Sequence, residues 1–217
     1  MIISLNLQNK KVCIVGGGNE SLKRLTPLLK ENCNITVISE SINKQIKNLA
    51  FRKKILLKKT KLDDAKFLEK EKPFMIITTT NNNKLNLEIL KKAKKMKIIA
   101  YSSDNPIQSD FSNPAIINYE KIIEIAVFTG GKSPIMSKKI KEQLEKSVKK
   151  SISREDIEQI KIQMIARSLV KNSIDGQNKR KEFLNSLSKD KKIKQLIKDG
   201  QGKKIEKHII AMLRDWK

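Results

Sequence analysis

The chain has 217 residues, 38% of them hydrophobic and only 4% aromatic, which allows one medium domain plus an appendage and a core built from Ile, Leu and Val. Its 47 Lys+Arg against 23 Asp+Glu give a formal charge of +24, mostly lysine and spread over the whole length. No window is long and apolar enough to span a bilayer, residues 1–7 lack the layout of a signal peptide, and no stacking aromatics are interleaved with the basic residues; membrane insertion, secretion and single-strand nucleic-acid binding are all disfavoured.

The charge therefore reads first as solvated surface, with a polyanionic small molecule as a compatible partner. Cys13 and Cys33 fall in or beside expected buried strands without metal-ligand spacing. They are expected to be reduced core residues of a cytoplasmic protein. No metal site is expected.

The first organised stretch is KKVCIVGGGNESLKRLTPLLK, ending at Lys30. Its apolar run 12–15 predicts a strand, Gly16-Gly17-Gly18 a tight turn, and the spacing of Leu22, Leu25, Leu28 and Leu29 a helix over 19–30. A strand, glycine turn and helix in that order open a dinucleotide-binding unit. Gly16 permits the sharp turn, and Gly18 lets the backbone approach a pyrophosphate with no Cβ in the way. The first amides of the helix then face the anion. Ser21 is the small residue that lets helix and strand pack closely.

Residues 34–38 (NITVI) predict a second strand ending at Ser39-Glu40. An acidic residue about 20 positions beyond the glycines is where a ribose hydroxyl is gripped, and Glu40 fits. No arginine beside it welcomes a 2′-phosphate, so NAD is favoured over NADP. Ser39 is the alternative contact, and Glu40 reads equally well as a carboxylate opening a helix over 41–49. A short strand at 55–57 and a stronger one at 74–78 follow. The latter delivers Thr80, Asn81 and Asn82 to the carboxyl end of the sheet, where they either meet a cofactor or cap the helix carrying Leu85, Ile89, Leu90 and Ala93.

Residues 97–100 predict the next strand, which brings Tyr101-Ser-Ser-Asp104-Asn-Pro106 to the same rim. On spacing alone, Asp104 belongs to a turn. After Phe111-Ser-Asn-Pro114-Ala115 comes a strand over 121–128, with Ile123, Ile125 and Val127 on one face. A second glycine turn, Thr129-Gly130-Gly131-Lys132-Ser133-Pro134, leads into a helix with Met136, Ile140, Leu144 and Val148 at fourfold spacing. Ser133 is placed to cap that helix, and the turn lacks the GxxxxGK[ST] phosphate-loop pattern. Beyond Val148 only helices are expected. One starts at a Ser153/Asp156 capping box and runs through Leu169, and others lie near 180–187, 190–198 and 203–216. The one histidine, His208, reads as a surface or packing residue.

Four runs taken together, KKVCIVGGGNES, ITTTNNNKLN, SSDNPIQSDFSNPA and IAVFTGGKSPIMSKKIKEQLE, resemble the precorrin-2 dehydrogenase family, including the amino-terminal half of siroheme synthases. The resemblance covers residues 1–148; the helical tail matches only in length and type. It implies an α/β fold: a Rossmann-type parallel sheet domain over 1–112, a strand-helix dimerisation segment over 113–150 and an all-helical region over 151–217. It implies a homodimer that oxidises precorrin-2 to sirohydrochlorin while NAD⁺ takes the hydride, and it leaves open Fe²⁺ insertion. It promotes Asp104 to the acid/base residue. Gly16, Gly17, Gly18 and Asn19 would hold the pyrophosphate with Glu20 beside them, Ser39 or Glu40 the ribose, and Thr80 and Asn81 the cofactor. Ser109, Phe111 and Pro114 would shape a tetrapyrrole cleft, and Thr129, Gly130, Lys132 and Ser133 would stand where dimer and substrate region meet.

Asn81 and Asn82 depart from the family's usual acidic pair, Tyr101 from a usual Asn and Asn113 from a large apolar residue, which changes details of the pocket. The methyltransferase half of fused siroheme synthases is not part of this sequence. The alternative is a non-catalytic NAD or tetrapyrrole sensor of the same fold, against which Asp104 argues.

Overall fold

A computed structural model describes residues 2–216, which form two compact units that divide between Asn113 and Pro114. Apart from Asn113, the described residues of the expected segments 113–150 and 151–217 fall in the second unit.

The first unit alternates strand and helix: β1 (Lys11–Val15), α1 (Asn19–Leu28), β2 (Asn34–Ile38), α2 (Lys44–Phe51), β3 (Leu56–Lys58), α3 (Phe67–Glu71), β4 (Met75–Thr78), α4 (Asn83–Lys95) and β5 (Ile99–Ser102). All five strands are parallel, in the order β3-β2-β1-β4-β5. Successive side chains of a strand point to opposite faces, and the core divides accordingly. Val12 and Ile14 pack with Leu25, Leu28 and Ile46 of α1 and α2. Cys13 and Val15 pack with Leu68, Ile89 and Leu90 of α3 and α4. Both faces are covered, so the strands read as continuous apolar runs rather than as alternating ones. Each fully buried Leu or Ile contributes about 2 kcal/mol.

The helices of this unit differ most from the sequence reading, and the strand expected at 97–100 lies at Ile99–Ser102. α1 stops at Leu28, just past Pro27, rather than running to Lys30. α2 begins at Lys44 because the Asn43 side chain accepts from the Gln45 amide, leaving 39–42 as loop. The short α3 was not expected; it ends at Lys72 in a left-handed conformation (φ 40°). Its last residue, Glu71, is buried and takes Lys11 at 2.8 Å as well as Lys58. These two ammonium groups hold its carboxyl below the usual range.

The second unit begins with an antiparallel hairpin, β6 (Ala115–Tyr119) and β7 (Ile123–Val127), on which α5 (Pro134–Ser151) packs. β6 was not expected. Its turn is closed by the Ile122 amide on the Tyr119 carbonyl, with Glu120 and Lys121 at φ 53° and 59°. That is the backbone of a primed turn, built here without the Asn-Gly pair that usually signals one. Then come α6 (Arg154–Val170), α7 (Gln177–Lys189), α8 (Lys191–Lys198) and α9 (Gly202–Arg214), which enclose a core around Phe183, Leu187 and Ile193. The capping box that opens α6 forms in full, between Ser153 and Asp156.

Candidate active site

The sheet order reverses between β1 and β4, and ligands of open α/β sheets bind at the carboxyl ends of the strands flanking such a switch point. A cavity of about 610 Å³ opens there, lined by residues 16–19, 38–43, 60–62 and 79–82. That volume lies within the range of small-molecule and cofactor sites.

Each glycine of the turn has a different task. Gly16 has φ 119°, and a Cβ on it would meet Thr79. A Cβ on Gly17 would fall on the Ser41 carbonyl oxygen and lie 2.9 Å from Ser39 Oγ, so Gly17 lets the 39–43 loop close over the turn. The Asn43 amide completes that closure on the Gly17 carbonyl at 2.7 Å, and Asn43 Nδ2 donates to Asn19 Oδ1 at 2.7 Å. Gly18 alone has nothing within 4 Å. It is also the N-cap of α1 and provides no side-chain acceptor, whereas α2, α4, α5, α6 and α8 each begin on a capping side chain. An open backbone followed by uncapped helix amides is the cradle a pyrophosphate needs. Ser21 donates to the Gly16 carbonyl at 2.7 Å and is fully buried, which locks helix to turn.

Other expected contacts separate by what their side chains already do. Glu20 is not on the cavity wall. It pairs with Arg24 at 2.6 Å and Lys23 at 3.3 Å, and although burial opposes the charge these cations hold its carboxyl below the usual range. Ser39 Oγ donates to the Ser41 carbonyl at 2.8 Å, while Glu40 is exposed on the wall and stands four residues before α2. Glu40 is therefore not the helix-opening carboxylate. Thr80 Oγ1 donates to Asn86 Oδ1 at 2.6 Å, and Asn82 caps α4 through the Leu85 amide, leaving Asn81 as the uncommitted side chain of that loop.

Asp104 follows β5, the strand next to β4, at the same end of the sheet. The cavity wall does not include it. Its loop is pinned back on β5: Asp110 exchanges backbone and side-chain bonds with Ala100 at 2.8 and 2.9 Å, and Ser109 Oγ accepts from the Ser102 amide at 2.9 Å. Ser109 Oγ also donates to the Asn105 carbonyl at 2.8 Å, so its hydroxyl serves the loop rather than facing a cleft. Phe111 lies against Tyr101, with ring centroids 5.2 Å apart, and packs on the core; it differs in this from the expected cleft wall.

The second unit holds the remaining expected residues. Half-buried Pro114 enters β6. Thr129 Oγ1 lies 2.9 Å from Ser137 Oγ and accepts from the Ser133 amide, Ser133 caps α5 through the Met136 amide, and Gly130 has φ 66°. Lys132 is exposed. His208 faces Asp190 at 3.3 Å. Among the described residues no three His, Cys, Asp or Glu side chains converge as a metal site would require, and no helix is long and apolar enough to cross a membrane.

Sequence reasoning missed Asn43, Lys61 on the rim, and the hydroxyls of Thr78 and Ser102 beneath Asp104. Asn43 carried a signal, an Asn one residue before a helix; the others become visible only once the strands are paired.

A family model described as "Putative NAD(P)-binding" matches residues 3–115, more than half of the chain. The chain belongs to that NAD(P)-binding family. A nicotinamide dinucleotide is accordingly the cofactor class of the crevice. Among named relatives, a precorrin-2 dehydrogenase of Bacillus subtilis is 29% identical over 146 residues, covering 67% of this chain and 87% of that protein. A siroheme synthase of Baumannia cicadellinicola is 28% identical over 145 residues, covering 64% of this chain but only 29% of the relative. The chain thus spans less than a third of that synthase. The solved structure of SirC, a precorrin-2 dehydrogenase, superposes over 100% of both chains with a TM-score of 0.71 at 19% identity, which establishes a shared fold.

Proposed function

We propose that the protein is an NAD-dependent precorrin-2 dehydrogenase that acts as a homodimer. The observation that carries this reading is one end of the sheet holding both an uncapped glycine cradle after β1, at the switch point, and, two strands over after β5, the carboxylate of Asp104. The similarity to the Bacillus enzyme supplies the substrate.

Oxidation of precorrin-2 to sirohydrochlorin removes one hydride and one proton as a new carbon–carbon double bond forms. Bound NAD⁺ supplies the hydride acceptor. The chain's own part is to hold the pyrophosphate on the amides after Gly18, to grip the ribose with Glu40, and to take the proton on the Asp104 carboxylate. Glu40, an acceptor with no cap to serve, favours a ribose diol over a 2′-phosphate. Precorrin-2 carries eight carboxylates, for which a +24 chain is an attractive field.

Dimerisation is supported by apolar side chains left exposed on the hairpin and α5: Ile116, Phe128, Ile135, Met136 and Leu144.

The test is anaerobic incubation of the pure protein with precorrin-2 and NAD⁺. The reading predicts sirohydrochlorin and NADH in equal amounts, and formation of both slowed about 10²-fold or more, to a measurable residual rate, in Asp104→Ala. NADH binding without turnover by the native protein would instead support the sensor.

A further inference from the structure

Two buried hydroxyls stand behind Asp104. Thr78 is the last residue of β4 and Ser102 the last of β5; the parallel register sets them side by side, and both are fully buried. Thr78 Oγ1 donates to Ser102 Oγ at 2.6 Å. Ser102 Oγ, receiving that proton, turns its own to Asp104 Oδ1. The Asp104 carboxylate can only accept, so it takes the one proton Ser102 has to give, and Ser102 Oγ must in turn accept from Thr78. The Ser102 backbone is fixed as well, through its amide to Ser109 Oγ at 2.9 Å.

We infer that Ser102, oriented by Thr78, is a positioning residue for Asp104. It anchors Oδ1 from inside the sheet and leaves Oδ2 as the oxygen that takes the proton. Asp104 is exposed on a loop, where a carboxylate without a partner samples several rotamers. A donor from a buried strand end removes that freedom and does so without contributing a charge. Oδ2 has no partner among the described residues, so the anchored carboxylate keeps one oxygen, with fixed direction, for chemistry. This inference rests on the dehydrogenase reading for the reaction, but the hydrogen-bonded relay itself does not.

The experiment has two readouts. In steady-state kinetics Ser102→Ala lowers kcat roughly 10- to 100-fold, while KM for precorrin-2 and the Kd for NADH stay within about twofold. Thr78→Val lowers kcat in the same sense, and Thr78→Ser recovers it. In the Asp104→Ala background Ser102→Ala has no further effect, because a group acting only through another is silent once that other is gone. Equal losses in both backgrounds overturn the inference, as does a Ser102→Ala defect confined to KM. The second readout needs no turnover: in a ¹³C spectrum the Asp104 side-chain carboxyl signal moves in Ser102→Ala and Thr78→Val, whereas that of the exposed Asp63 stays put. An unmoved Asp104 signal overturns the inference whatever the kinetics. A moved signal in a protein that does not oxidise precorrin-2 upholds the anchored carboxylate and overturns its role in that reaction.

Discussion

Gly17 and Gly18 are adjacent, yet a methyl group added to each is expected to break different things. At Gly17 the new Cβ would land on the Ser41 carbonyl oxygen and come within 3.0 Å of both Oγ and Cβ of Ser39. Backbone on one side and a bonded hydroxyl on the other leave no room to yield, so the 39–43 loop must lift. Lifting it strains or breaks the two 2.7 Å bonds that Asn43 makes to Gly17 and Asn19. Overpacking of this kind costs about 1–3 kcal/mol, and a lost hydrogen bond about 1 more. For Gly17→Ala that is roughly 2–4 kcal/mol, or about 4–16 °C in Tm for a chain of this size. At Gly18 the Cβ meets nothing within 4 Å, and the backbone, at φ −86°, suits alanine. Gly18→Ala should therefore leave stability within about 0.5 kcal/mol of the native protein. It should nevertheless weaken NADH binding on the order of tenfold or more, since the methyl occupies the approach of the pyrophosphate. Thermal unfolding and titration of NADH fluorescence separate the two effects. An unchanged Tm in Gly17→Ala, or native NADH affinity in Gly18→Ala, refutes this division of labour.

Glu40→Ala is expected to weaken NADH binding by roughly tenfold and NADPH binding less, the loss of an ionised acceptor amounting to about 1.5 kcal/mol; equal losses for the two cofactors argue against the ribose contact. Glu71, whose folded carboxyl titrates below its unfolded value of 4.5, contributes stability that is present above pH 4.5 and is lost as pH falls through the folded value. The gap in denaturation midpoint between native protein and Glu71→Gln should therefore be widest near neutrality and close on acidification, and a gap independent of pH contradicts it. Burial, with Glu71 adding to it, pushes the Cys13 thiol up to about 12. At pH 8 only about one molecule in 10⁴ carries its thiolate, so a thiol reagent should reach Cys13 only on unfolding. Phe183→Ala should cost about 3–5 kcal/mol. Because Phe183 meets the sole tryptophan, Trp216, edge-on at 5.1 Å, that variant should also shift the fluorescence emission to the red.

The parallel sheet was legible because its strands are dense in Val and Ile and its first turn is three glycines long. The hairpin partner β6 was not, because a primed turn built on Glu120-Lys121 looks like ordinary surface. Among the residues that line the cavity, the glycines and Glu40 could be read from spacing. Ser109 and Phe111 looked like ligand contacts but are engaged by their own loop and core neighbours, and Thr80 lines the cavity yet gives its hydroxyl to Asn86, since a polar or aromatic residue in a loop first satisfies what lies next to it. Thr78 and Ser102 showed no signal at all; hydroxyls at strand ends acquire meaning only when register sets them opposite each other.

The account depends most on where a bound dinucleotide runs, and a crystal structure of the NADH complex measures that directly. It should show the pyrophosphate on the amides of Gly18 and Asn19, the adenosine ribose at Glu40, and the nicotinamide carried past the end of β4 toward Asp104. A nicotinamide turned instead toward β2 and β3, away from that carboxylate, contradicts the account.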